Sequence, residues 1–167
     1  LQASAEFSDA FIRLVREHER LIQKVAGLYA SDAEDRKDLA GEIVLQLWRA
    51  FPRFRGTAKE STWLYRVALN TAITRQRSDQ RKPPLSFGDE LVINIPDIVD
   101  TADAEIRRMH AAIAALPQLE RALTLLHLED RSHAEIAEIM GISVSNVGTR
   151  LSRIREKLRK IMIAENS

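Results

Sequence analysis

Residues 143–160 of this chain concentrate groups that bind phosphate and read base edges. Arg150, Arg153, Arg155, Lys157, Arg159 and Lys160 stand against a single acid, Glu156. Such a cationic stretch neutralises a polyanion and releases its counterions. Ser143, Ser145, Asn146 and Thr149 precede it. These short polar side chains suit base edges or phosphates at the start of a helix lying in a major groove. Arg150 and Arg153 have the fork geometry for guanine O6/N7 or for phosphates. Other chemistry is poorly represented. There is no Cys, hence no thiolate metal site and no thiol nucleophile. His18, His110, His127 and His133 show no metal-ligand spacing, and no glycine loop of the phosphate-binding type occurs. The expectation is a protein without catalytic residues, cofactor, metal or small-molecule substrate.

The basic stretch needs elements to position it. Ser132 and Glu135 have capping-box spacing, so a helix starts there. Ile136, Ala137 and Met140 give it an apolar face, and Gly141 can end it in the left-handed conformation. Ser143 caps the next helix, on which Val144, Val147, Leu151, Ile154 and Leu158 recur every three or four residues. Two short helices across a tight glycine turn make a helix-turn-helix. Upstream, one stripe runs Phe7, Phe11, Leu14, Val15, His18, Leu21, Ile22, Val25 and Leu28. Others are Leu39-Ile43-Leu47-Phe51, Leu64-Val67-Ala68-Thr71, Ile106-Met109-Ala112-Ile113 and Leu119-Ala122-Leu123-Leu126. All have helical period. Six Gly and five Pro are too few for a fold made of many tight turns, so the fold class is all-α.

The formal net charge of +1 over 167 residues conceals a division. Residues 1–82 carry a net +4, and residues 107–167 a net +3. Residues 83–105 hold six acids and no Lys or Arg, with Pro83, Pro84, Gly88 and Pro96 as punctuation. The reading is two small helical domains, 1–82 and 106–167, joined by an acidic linker, 83–105. Domains of roughly 60–80 residues have marginal cores that partner binding can support. No apolar run approaches the roughly 18 residues of a membrane span, and the start lacks a signal-peptide pattern. The expected location is the cytoplasm.

Several further motifs narrow the class. They are Asp38-Leu39-x-x-Glu42, Arg53-Phe54-Arg55-Gly56, Thr62-Trp63-Leu64-Tyr65-Arg66, and Leu116-Pro117 ahead of the helix-turn-helix. In this order, across an acidic linker, they resemble the bacterial RNA polymerase sigma-70 family. The closest type is the small extracytoplasmic-function (ECF) subfamily, which retains regions 2 and 4. The resemblance covers about residues 7–82 and 106–162. It implies an alternative sigma factor that binds core RNA polymerase, through the β′ coiled coil and the β flap, and opens promoter DNA. A cognate anti-sigma factor is a further implied partner.

Residue by residue, the resemblance places Asp38, Leu39, Glu42, Ile43 and Gln46 against the β′ coiled coil. Gly41 stands where the family usually has Gln. Residues 56–62 match the loop that captures a flipped base of the −10 element, with Lys59, Ser61 and Thr62 as contacts. Arg66, Asn70, Arg75 and Arg77 follow on a helix suited to single-stranded DNA, with Trp48 and Trp63 read as core and Tyr65 open either way. The −35 contacts are Ser143, Ser145, Asn146, Thr149, Arg150, Arg153, Arg155 and Lys157. Gly148 stands where Lys or Arg is common. The acidic linker matches a segment that threads polymerase channels. From the residues alone, a conventional helix-turn-helix regulator with an N-terminal dimerisation or ligand domain stays open as the alternative.

Overall fold

The computed structural model describes residues 2–81 and 104–165, and every regular element among them is helical. The order is α1 (Gln2–Glu17), α2 (Glu19–Tyr29), α3 (Ala33–Ala50), a 3-10 turn (Phe51–Arg53), α4 (Glu60–Arg81), α5 (Ala104–Ala114), α6 (Gln118–Leu128), α7 (His133–Met140) and α8 (Val144–Glu165). The chain divides into two units, Leu1–Phe87 and Gly88–Ser167. The expected linker lies outside the described residues except for Ala104 and Glu105. Those two open α5, so the helix starts ahead of the expected boundary at 106. Glu105 in its first turn faces the positive end of the helix dipole.

In the first unit, α2, α3 and α4 pack on one another. Ile22 and Val25 of α2, Leu39, Ile43 and Leu47 of α3, and Leu64 and Ala68 of α4 form its centre. The α3 start is fixed from both sides. Asp32 Oδ1 accepts from Asp35 N at 2.7 Å, while Asp35 Oδ2 accepts from Ser31 N at 2.8 Å. The stripe from Phe7 to Leu28 does not form one helix. It breaks at His18 (φ −113°, ψ 20°), giving α1 and α2. Leu14 and Phe11 keep their burial from α1, and the His18 ring instead reaches Glu60 at the head of α4, 3.4 Å away.

In the second unit, α8 packs on α5, α6 and α7. Ile113, Leu123, Leu126, Ile136, Val147, Leu151 and Ile154 fill its core. Each buried aliphatic side chain contributes about 1.5–3 kcal/mol of transfer free energy.

Candidate nucleic-acid interface

The helix-turn-helix forms as its sequence signals require. Ser132 Oγ accepts from Glu135 N at 3.1 Å. Gly141 takes φ 69°, ψ 35° and closes α7 with its N–H on the Ala137 carbonyl. Ser143 Oγ then accepts from Asn146 N at 3.1 Å, starting α8. Val147, Leu151 and Ile154 turn inward, which leaves Ser145, Thr149, Ser152 and Arg153 on the exposed face. Val144 departs from the expected buried stripe and is 51 % exposed, whereas Val147, three residues on, is fully buried.

The cations of α8 divide into two groups. Arg155 Nη2 lies 3.1 Å from His127 Nε2 and, as the obligate donor, bonds its lone pair. Lys157 Nζ donates to both carboxylate oxygens of Glu120, at 2.9 and 3.0 Å. These two residues tie α8 to α6, and both remain exposed to solvent. Arg159 lies 2.9 Å from Glu156, and its hydrogen bond and charge hold that carboxyl below the usual carboxylate range. Arg150 Nε donates to Asn146 Oδ1 at 3.1 Å, one turn back. Arg153 is exposed, and no acid pairs with it among the described residues.

In the first unit an aromatic chain supports the loop after the 3-10 turn. The Phe7 ring lies 5.3 Å from Trp48 and 4.9 Å from Phe51. Phe11 meets the same two rings at 5.0 and 5.4 Å. Phe51 leads on to Trp63 at 6.4 Å, and Trp63 to Phe54 at 4.8 Å with planes 30° apart. Phe54 therefore anchors one root of the loop to the helix at its other root. Gly56 turns the loop at φ 71°, a conformation that favours glycine. Trp63 is half-buried within this chain, and Trp48 sits at its rim, 40 % exposed. Tyr65 is buried.

Around that loop, Lys59 is exposed and Ser61 half-buried. Thr62 is 2 % exposed, so it belongs to the core and cannot touch DNA in this conformation. Arg66, Asn70 and Arg77 are exposed along one face of α4. Arg75 does not join them. Its Nη2 lies 2.8 Å from Asp35 Oδ1 and its Nε 3.2 Å from Glu42 Oε2. With two carboxylates on it, Arg75 ties α4 to α3.

On α3, Leu39 and Ile43 are 1 % and 0 % exposed. They hold the helix against α2 and α4 and are not available to a partner. Asp38 is exposed, Glu42 and Gln46 are partly so, and Gly41, Leu45 and Trp48 complete the outward surface. Glu42 and Gln46 also line a polar cleft with Asn70 and Thr74. Sequence spacing gave no local signal for the Arg75 bridge or for the Phe7–Phe51 contact, since both join residues some forty positions apart.

Glu17, His18 and Glu60 each bring a donor atom within 4.8 Å of the others. The two carboxylates are solvated, and His18 contacts one of them, Glu60, which ties the α1–α2 break to the head of α4. Among the described residues, no helix is long and apolar enough to cross a membrane.

Sequence comparison decides the family. The profile of Sigma-70 region 2 matches residues 14–82, and that of Sigma-70, region 4 matches residues 106–158. The chain belongs to the sigma-70 family. Its relatives include the RNA polymerase sigma-H factor of Pseudomonas aeruginosa, 32 % identical over 92 % of this chain and 86 % of that protein. The ECF RNA polymerase sigma-E factor of Escherichia coli K12 is 30 % identical over 89 % and 84 %. That of Haemophilus influenzae is 35 % identical over 83 % and 82 %. Two solved structures share the fold. CnrH, in complex with the cytosolic domain of CnrY, has a TM-score of 0.69 at 22 % identity, covering 98 % of this chain and 94 % of that one. The sigma factor RpoE of Bartonella quintana, in complex with the anti-sigma factor NepR, has a TM-score of 0.67 at 16 % identity, covering 94 % and 96 %. In this ECF sigma factor the aromatic-braced loop and α4 fall within region 2, and the helix-turn-helix within region 4.

Proposed function

We propose that this ECF sigma factor directs core RNA polymerase to a specific promoter set, with region 2 capturing the −10 strand and region 4 holding the −35 duplex. One observation carries the reading: a single chain holds both a braced, solvent-exposed loop ahead of a polar helix face and a capped helix-turn-helix. A plain regulator has no use for the first of these.

The division of labour follows from magnitudes. Each lost step of DNA stacking costs roughly 1.4 kcal/mol. A small subunit cannot offset a whole bubble, but it can hold one or two unpaired bases and bias the melting that polymerase drives. Lys59, Ser61, Arg66, Asn70 and Arg77 supply those contacts. Ser145, Asn146, Thr149, Arg150 and Arg153 contact the −35 duplex. The outward surface of α3, with Asp38, Glu42, Gln46, Leu45 and Trp48, meets the β′ coiled coil, and region 4 meets the β flap. The charged members of α3 set register and on-rate more than raw affinity. Two modest DNA sites gain affinity through effective concentration once polymerase sets their spacing.

The polymerase performs the chemistry, and the sigma factor contributes no catalytic group. Its place of action is the cytoplasm, and an anti-sigma factor that covers these surfaces is its natural inhibitor. Reconstitution tests the reading. Core polymerase with this chain is expected to start transcription from a select set of genomic promoters. A chain that binds duplex DNA without associating with core polymerase would support the plain regulator instead.

A further inference from the structure

Four polar side chains at the start of α8 direct hydrogen-bonding atoms back onto the helix. Ser143 Oγ accepts from Asn146 N and lies 3.3 Å from Ser145 Oγ. Thr149 Oγ1 donates to the Ser145 carbonyl at 3.1 Å, leaving its methyl group for the surface. Asn146 Oδ1 accepts from Arg150, so the amide cannot present both of its ends to an adenine without giving up that bond. Amid these groups Val144, the first residue of α8, is a large apolar side chain half in solvent. Val144, Ser145, Gly148 and Thr149 stand at i, i+1, i+4 and i+5, on the N-terminal half that a recognition helix turns toward base edges. Gly148 stands one turn on from Val144, on the same side of the helix. A Cβ there would meet only the His133 ring, at 3.9 Å, so no side chain at the next-turn position shields Val144.

We propose that Val144 is a specificity-determining residue, whose exposed isopropyl group packs on the C5-methyl of a thymine in the major groove. The proposal rests on reading α8 as the −35 recognition helix. Thymine is the base whose major-groove edge carries a methyl group, and apolar side chains recognise it by contact. An isopropyl group against a phosphate would gain nothing. Against a methyl group it removes apolar surface from water on both partners, an effect worth about a three- to fivefold change in affinity.

The test uses the full chain bound to core RNA polymerase. A pool of randomised duplexes is selected for binding, and each thymine of the recovered upstream element is replaced in turn by deoxyuridine, which lacks only the methyl. At one position the replacement is expected to weaken wild-type binding by about three- to fivefold and to leave Val144→Ala binding unchanged. Val144 is on the surface, so the variant folds, and Val144→Ser is expected to behave alike. An upstream element with no thymine overturns the proposal. So does equal discrimination by wild type and Val144→Ala at every position, and if Arg153→Ala still weakens binding in that case, the recognition-helix reading survives. Failure to select any upstream element, with Arg153→Ala also without effect, overturns both.

Discussion

Arg75 on α4 donates to Asp35 at the start of α3 across 2.8 Å, and its Nε reaches Glu42 one face along. The guanidinium is about one-fifth exposed, so the bridge is only partly screened by solvent. It fixes the angle between the proposed polymerase-facing helix and the proposed strand-facing helix.

Arg75→Ala is therefore expected to destabilise the first unit by about 1–2 kcal/mol, between the values for surface pairs and for hydrogen bonds to charged groups. Arg77→Ala, on the exposed face of α4, is expected to leave stability unchanged and to weaken binding of a single-stranded −10 oligonucleotide by the polymerase complex. Urea unfolding and oligonucleotide titration separate the two. Equal loss of oligonucleotide binding in both, with no change in urea midpoint, would return Arg75 to the DNA surface.

Phe54 sets the loop. Its ring lies 4.8 Å from Trp63 in a tilted pair, and aromatic pairs are worth roughly 0.5–1.5 kcal/mol beyond burial. Phe54→Ala is expected to loosen the loop root and reduce promoter opening, measured as permanganate reactivity of unpaired thymines. Duplex binding at the −35 element is expected to stay as in wild type, because region 4 is untouched. Loss of both together would show that the variant unfolds more than the loop.

Two of the helical glycines, Gly41 and Gly148, give predictions of opposite character to these losses. Nothing lies within 4 Å of a Cβ at Gly41, and only His133 at 3.9 Å does so at Gly148. Both sit in helix interiors, where Ala is favoured by about 0.8–1 kcal/mol. Gly41→Ala and Gly148→Ala are each expected to raise stability by about 0.5–1 kcal/mol in thermal or urea unfolding. A stabilised Gly148→Ala that also loses duplex affinity would show that DNA backbone or a base approaches α8 at that residue.

Local signals were legible because they act over a few residues. Ser132, Gly141 and Ser143 punctuate α7 and α8 where their side chains and backbone freedom demand it. The fold class followed from the 3.6-residue period. The same period overran at His18, where a long-range contact to Glu60 accompanies a break that no proline or glycine announces. At the sites, residue type was legible but direction was not. Leu39, Ile43 and Thr62 lie beside exposed residues in sequence, yet helix geometry turns them inward. Arg75, Arg155 and Lys157 look like their cationic neighbours until the acids and the histidine that engage them, 28 to 40 positions away, are brought alongside.

The basic face of α8 thus contains two kinds of cation, and substitution distinguishes them. Lys157 is held by Glu120, so Lys157→Ala is expected to cost at most about 1 kcal/mol of stability in the second unit and little specific affinity. Arg153 is exposed and faces no acid among the described residues. As a bidentate contact to a guanine, it is expected to contribute roughly 1–3 kcal/mol, lost together with preference at one base pair in Arg153→Ala. As a phosphate contact, its removal would instead weaken binding to all sequences alike and reduce the salt slope by about one. Titration of the polymerase complex against selected and singly substituted −35 duplexes, at two salt concentrations, reads both quantities. Unchanged affinity and unchanged preference at low salt would remove Arg153 from the interface.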